Sequence, residues 1–290
     1  VRVGVDIGGT KTEVVVLDEN LKVLHRHKLA TGIGAEALLK STTDVVARIL
    51  GDGPLINKVE SIGIGVPGKI VDGTINNAEN LEIVSLDLAG ELQRHWGIRP
   101  ALVNDVNAAA VGYWRLKDYK KGMLAYLNLG TGLAAGLVVN GEIWRGATGV
   151  AGELGYISVD PKGPADRHGL LGCLETYASS SGLAIQAGKS MHDARQIVVE
   201  RPDISEQMYF AVASAIRILT LTYDPDAIVI GGGLTALDLT LEESVAKNVT
   251  EWEEQSPFLK SVNMLERVHI TLPNVPAAAI GAALLGAENG

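Results

Sequence analysis

Two segments of this chain follow one plan, and that repetition limits what it can fold into. Residues 3–21 read VGVDIGGTKTEVVVLDENL and residues 125–143 read AYLNLGTGLAAGLVVNGEI. At an offset of 122, Asp6 falls on Asn128, Gly8 on Gly130, and Leu17-Asp18 on Val139-Asn140. Each segment is an apolar strand, a Gly-rich turn, a second apolar strand and a turn with Asp or Asn. A strand buried on both faces needs covering layers. Two such hairpins therefore predict two lobes of similar plan facing each other across a cleft.

Helical and extended patterns alternate around the hairpins. The spacing of Leu38, Leu39, Val45, Val46, Ile49 and Leu50 predicts a helix over 36–50. Residues 59–66 and 101–104 read as strands, and 106–115 as a helix of small residues. Further on, 208–222 reads as a buried helix, Asp224-Pro225-Asp226 as a turn, 227–230 as a strand, 268–272 as a late strand and 277–285 as a helix. Strands mixed with helices predict α/β layers. The expected division is a smaller N-terminal lobe of residues 1–110 plus 276–290 and a larger lobe of 111–275.

Composition removes several function classes. Hydrophobic residues are 47% of the chain and aromatics 4%, so the core rests on Val, Leu, Ile and Ala. The net charge is -9 without a basic cluster, which argues against a nucleic-acid surface. The single cysteine, Cys173, allows no intramolecular disulfide and fits a reducing compartment. No apolar run reaches the roughly 18 residues of a membrane span. Val1 to Val5 already reads as a strand, so no signal peptide is expected ahead of it and the protein is expected to be cytoplasmic.

The turns carry the chemistry. Gly8, Gly9 and Thr10 offer consecutive backbone N–H groups, Thr10 and Thr12 offer hydroxyls, and Lys11 an ammonium, a set suited to phosphate. A Walker loop is excluded, because a helix must follow it and here the strand Glu13-Val14-Val15-Val16 does. Asp6 would repel a phosphate unless a cation lay between them, so the segment implies Mg²⁺ held through water. An ordinary hairpin turn explains the glycines equally well. Gly130-Thr131-Gly132 is the counterpart loop, and two such loops could grip one polyphosphate. Gly63 to Gly68 matches GxGxxG, but Pro67 and the extended Lys69-Ile70-Val71 stand where that motif needs a helix.

Asn104-Asp105 sits at a strand end before a helix. Asp there is a favoured N-cap; it is also a candidate acceptor for the proton of an attacking hydroxyl. Glu153 and Glu175 lie in Gly-rich settings and suit paired sugar hydroxyls, although such glutamates are commonly surface residues.

Together these residues resemble the ROK family (repressors, open reading frames and sugar kinases), of the actin-like, hexokinase-like ATPase fold. The pieces are Asp6-Ile-Gly-Gly-Thr-Lys-Thr12, Gly65-Val-Pro-Gly68, Asn80-Leu81, Asn104-Asp105-Val-Asn-Ala-Ala109, Gly130-Thr-Gly132, Gly152-Glu153-Leu-Gly155, Gly172-Cys-Leu-Glu175 and Gly231-Gly-Gly233. The resemblance implies a two-lobe α/β fold of the ribonuclease H-like kind, with a duplicated βββαβα core, commonly a homodimer. It implies transfer of the γ-phosphate of MgATP to the 6-hydroxyl of a hexose, glucose first, with Asp105 as base. It implies Gly68, Asn80, Asn104, Asp105, Glu153, Tyr156 and Glu175 around the sugar. The nucleotide would lie against Gly8, Gly9, Thr10, Lys11, Thr12, Gly130, Thr131, Gly132, Gly231, Gly232 and Gly233, with Asp6 on Mg²⁺.

One departure stands out. Many family members hold a structural zinc with one His and three Cys near the sugar. Here the His position is Tyr156, two Cys positions are Asp166 and His168, and Cys173 alone remains. Structural zinc is therefore not expected, and the sugar preference is open. An N-acetylhexosamine or β-glucoside kinase, a non-catalytic sugar sensor and an actin-like ATPase without a sugar substrate stand as alternatives.

Overall fold

A computed structural model describes residues 1–50, 59–237, 240–271 and 275–288. The chain forms two compact units, one of Val1–Lys120, Gly141–Ile143 and Pro276–Gly290, the other of Lys121–Asn140 and Trp144–Val275.

The first unit is built on β1 (Arg2–Ile7), β2 (Lys11–Leu17), β3 (Val23–Ala30), β4 (Ser61–Val66) and β8 (Ala101–Asn104), in the order β3-β2-β1-β4-β8. β2 pairs antiparallel with β1 and β3, whereas β1, β4 and β8 are parallel. Alternation along β2 shows why it reads as continuously apolar. Val14 and Val16 join a core with Leu38, Val45 and Val46 of α1 (Ala35–Leu50), while Val15 and Leu17 meet Ala279, Ile280 and Ala283 of the last helix. Both faces of the sheet are thus covered. A smaller sheet of β5 (Lys69–Val71), β6 (Thr74–Ala78) and β7 (Ile83–Leu86) and α2 (Leu88–Trp96) follow β4 in sequence. Gly68 has φ +100 and opens onto β5, so GxGxxG begins no helix here.

The first unit is completed by α3 (Asp105–Leu116), the short β11 (Glu142–Ile143) and the terminal α10 (Ala277–Glu288). α10 is mostly Ala, Gly and Leu because its backbone lies directly on its neighbours. A Cβ on Gly4 would stand 1.8 Å from the Ala279 carbonyl, and one on Gly281 1.8 Å from the Ala108 carbonyl. Only glycine permits that approach.

The second unit holds β9 (Met123–Leu129), β10 (Leu133–Val139), β12 (Ala227–Gly231) and β13 (Val268–Ile270). β9 pairs antiparallel with β10 and parallel with β12, which pairs parallel with β13. The expected strand 268–272 therefore ends at Ile270, and Leu272 lies outside the described residues. β2 and β10 start and stop at the same offset of 122 that the sequences share. The helices are α4 (Leu174–Ala178), α5 (Ser180–Ala187), α6 (Ala194–Glu200), α7 (Pro202–Tyr223), α8 (Leu241–Gln255) and α9 (Pro257–Val262). α7 begins well before Met208 because Pro202 opens its first turn and Ile204 is already buried. It forms the spine of the core with Leu127, Leu129, Ile228 and Ile230.

Candidate functional site

In the first unit the turn between β1 and β2 is held from one side. Thr31 donates its hydroxyl to the Gly8 carbonyl at 2.7 Å and its N–H to the Thr10 carbonyl at 3.1 Å. Gly8 N–H closes the turn onto Lys11 O at 2.9 Å. With the Gly8 carbonyl engaged by Thr31, the Gly9 N–H of the same peptide faces the other way, and Thr10 and Lys11 are exposed. Such a concavity of donors suits an anion. Thr12 is placed differently from the others in this segment. It is fully buried, and its hydroxyl lies 2.9 Å from that of Thr31. It supports the turn from beneath and offers no outward donor.

Asp6, at the end of β1, stands in a carboxylate cluster. It pairs directly across the hairpin with Glu13. Glu13 is buried and accepts from Arg26, with Lys28 Nζ at 3.3 Å. Burial first, then the charges of Asp105 and Glu13, push the Asp6 carboxyl up to about 8, against the pull of Lys28. An acid held in such company is stabilised in its charged form by a nearby cation. The hard oxygen donor fits Mg²⁺. Among the described residues, no three His, Cys, Asp or Glu groups converge to hold a metal.

Asp105 is the first residue of α3, and the cap belongs to Asn104. Asn104 Oδ1 accepts from Val106 N–H at 3.0 Å and Asn107 N–H at 3.2 Å, and its Nδ2 points to the Gly68 carbonyl at 3.4 Å. The reading of Asp105 as N-cap is thereby corrected: Asn104 has the extended backbone of a cap and its side-chain oxygen lies over the orphan N–H groups, whereas Asp105 is already in the helix. β4 runs close to the start of α3 at Gly65, where a Cβ would stand 3.3 Å from Ala108 Cβ. Asn80 is half-buried next to Leu81, whose carbonyl accepts from Gly34 N–H.

The second unit holds its turn in a comparable way. Ser180 N–H donates to the Gly130 carbonyl at 2.9 Å, and Ser181 donates both N–H and hydroxyl to the Thr131 carbonyl, at 3.2 and 2.7 Å. The start of α5 thus fixes Gly130-Thr131-Gly132 with its carbonyls turned away from the Thr131 and Gly132 N–H groups. Asn128 Nδ2 approaches the loop, 3.0 Å from where a Gly130 Cβ would be, and Tyr126 hydroxyl reaches Asn128 Oδ1 at 3.5 Å. Gly232, at φ +99, packs on the Leu129 carbonyl, and Gly233 has open space where a side chain would stand.

Glu175 belongs to the same construction. Its Oε2 accepts from Leu133 N–H at 3.0 Å, and a Cβ on Gly132 would be 2.6 Å from that oxygen. A Cβ on Gly155 would also press on Glu175, at 3.2 Å. Arg167 stands 3.9 Å from Glu175 Oε1. Glu153 opens to solvent on one side. The protein behind it and then the charge of Glu175 raise its carboxyl above the ordinary range. Tyr156 is 53% exposed.

The residues present do not fit zinc. Asp166 Oδ1 already accepts from His168 N–H and Leu170 N–H, both at 2.8 Å. Cys173 is buried with Sγ 3.6 Å from the Tyr156 carbonyl, and burial raises its thiol.

Sequence reasoning missed Thr31, Glu13 and the serines that fix the second loop, and saw Asn128 only as the counterpart of Asp6. Thr31 and Glu13 gave no local signal, since their partners come from neighbouring strands. The run Ser179-Ser180-Ser181 is a visible capping signal, and Ser179 does cap α5 through Gly182 N–H.

These folds and loops define an α/β protein of the actin-like ATPase fold. A ROK family glucokinase from Streptomyces griseus, in complex with glucose and AMPPNP, superposes with a TM-score of 0.79 at 27% identity, covering 100% of this chain and 99% of that one. The sequence matches the ROK family over residues 2–288, and the chain belongs to that family. A glucokinase from Halalkalibacterium halodurans is 31% identical over 85% of this chain and 84% of its own length. An N-acetylmannosamine kinase from Salmonella arizonae is 28% identical over 97% and 96%.

Proposed function

We propose that this protein is an ATP-dependent sugar kinase that moves the γ-phosphoryl group to the 6-hydroxyl of a hexose, glucose first. The observation that carries the reading is the Asp105 carboxylate at the start of α3, near enough to Asp6 to raise it, while Asn104 does the capping. Asp105 would accept the proton of the attacking hydroxyl. Gly9, Thr10, Thr131 and Gly132 would donate N–H groups to phosphate oxygens, Lys11 would add a positive charge, and Gly231 to Gly233 would border the nucleoside. Gly68, Asn80, the Asn104 amide, Glu153, Tyr156 and Glu175 would hold the sugar. Mg²⁺ would neutralise charge on the phosphates, with Asp6 as its protein partner. Little covalent chemistry is asked of the chain; positioning and charge stabilisation carry the rate.

The second reading is an N-acetylhexosamine kinase. It is supported by Tyr156, which replaces the histidine of the resembling pattern, and by likeness to N-acetylmannosamine kinases. A cytoplasmic homodimer completes the proposal; among the described residues no helix is long and apolar enough to cross a membrane. The test is ADP formation from MgATP across hexoses, N-acetylhexosamines and β-glucosides. Turnover with glucose supports the first reading, and turnover with N-acetylmannosamine alone the second. Silence across the panel removes both.

A further inference from the structure

The segment from Ile157 to Cys173 is an irregular loop whose two ends adjoin the glutamates of the candidate sugar site. Glu153 lies just before it and Glu175 just after. Its base is closed by Leu174 N–H on the Ile157 carbonyl at 3.0 Å and by a bridge between Ser158 and Cys173. Its body is folded back on itself. Val159 N–H donates to the Gly172 carbonyl, Gly172 N–H to the Pro164 carbonyl and Ser158 hydroxyl to the Leu171 carbonyl, at 2.8–2.9 Å. Asp166 ties its own turn through His168 and Leu170.

Beside the Arg167–Glu175 ion pair, a side-chain hydrogen bond fastens this loop to the helix that carries Glu175. Tyr177, on α4 and 5% exposed, donates its hydroxyl to Asp160 Oδ2 at 3.1 Å. Asp160 Oδ1 accepts from Lys162 N–H at 3.0 Å. Two glycines make room for the bond. A Cβ on Gly163 would stand 2.1 Å from the Tyr177 hydroxyl, and one on Gly172 1.7 Å from the Asp160 carbonyl. Burial and the Asp160 contact push the phenol up to about 12, so it remains a donor throughout the neutral range.

We propose that Tyr177 is a positioning residue for sugar binding: through Asp160 it clamps the 157–173 loop to α4 and so fixes the separation of Glu153 and Glu175. The proposal rests on the sugar-kinase reading. Glu175 is further tied to Leu133, so a loosened α4 would disturb a carboxylate placed by two elements at once.

The test uses Tyr177→Phe, which deletes the hydroxyl alone, and Gly163→Ala, which pushes into the bond from the loop without opening the core. Both are expected to raise the sugar KM about fivefold to tenfold, the scale of one buried hydrogen bond. KM for ATP and kcat are expected to stay within about twofold, since a uniform binding loss moves KM alone. Should Tyr177→Phe not fold, Gly163→Ala decides. A sugar KM within twofold of wild type in the folded variants overturns the proposal, because a merely structural bond would lower the melting temperature and leave KM unmoved. Wild-type protein dialysed against chelator and returned to Mg²⁺ is expected to keep its sugar KM. A rise reversed by zinc also overturns the proposal. Wild-type protein that phosphorylates no sugar overturns the kinase reading, and this inference with it.

Discussion

Asn104, and not Asp105, closes the first turn of α3, so a substitution at 105 can change chemistry without unwinding the helix. Asp105→Asn is expected to keep sugar affinity while kcat falls about 10²–10⁴-fold, the usual contribution of a positioned base. Steady-state kinetics beside calorimetric sugar binding check it, and near-normal kcat would take Asp105 out of the mechanism. Asp6 supports a second prediction, on pH. Its folded pKa of about 8 lies above the ordinary 3.8, so between these values the folded state binds more protons than the unfolded state. Asp6 therefore makes stability fall as pH rises from about 4 to about 8, with no further loss above. Asp6→Asn is expected to flatten that slope in Mg²⁺-free buffer. Melting temperature against pH measures it; a wild-type slope in the variant would show that other groups set the dependence.

At the scale of elements, each Gly-rich hairpin depends on a residue far away in sequence to turn its carbonyls. Thr31 does this for the first loop and Ser181 for the second. Thr31→Val keeps the shape and removes the hydroxyl; Ser181→Ala does the same at the other loop. Each is expected to raise KM for ATP about threefold to tenfold, one lost hydrogen bond's worth, with the sugar KM little changed. Unchanged ATP kinetics in both would mean that the loops need no such support. The same contrast explains what was legible beforehand. Strand, Gly-turn and strand were readable from apolar runs broken by glycines, because those signals are local. The inward turn of Thr12 was not, because whether a hydroxyl faces a ligand or a neighbouring segment depends here on Thr31, which follows β3 and lies outside the hairpin. Asp105 was readable as a candidate base but not as distinct from the cap, since both neighbours are good capping residues and backbone conformation alone decides between them.

For the whole molecule, the end of the chain completes its beginning. α10 is the last described element, yet Ala279, Ile280 and Ala283 form a core with Val15 and Leu17 of the first hairpin strand partner, β2. Its backbone also rests on Gly4, Gly63 and Gly112. A terminal segment usually tolerates change, but tolerance follows burial and contact, not position. The sheet that carries Asp6 and the first loop therefore lacks one covering layer until residues 277–288 are in place. A chain ended at Val275 is expected to expose that face and to lose the cooperative unfolding of the first unit. Gly281→Ala is the milder form of the same change. Its Cβ would be 1.8 Å from the Ala108 carbonyl, so α10 must lift from α3, where Asp105 begins. An overpacked contact against backbone costs about 1–3 kcal/mol or more, and a loss of several degrees in melting temperature is expected, with kcat reduced through α3. Circular dichroism melts and limited proteolysis of both proteins check this. A truncated chain that is soluble and melts like wild type would mean that the first unit folds without its last helix, and that the small residues of α10 answer to some other need.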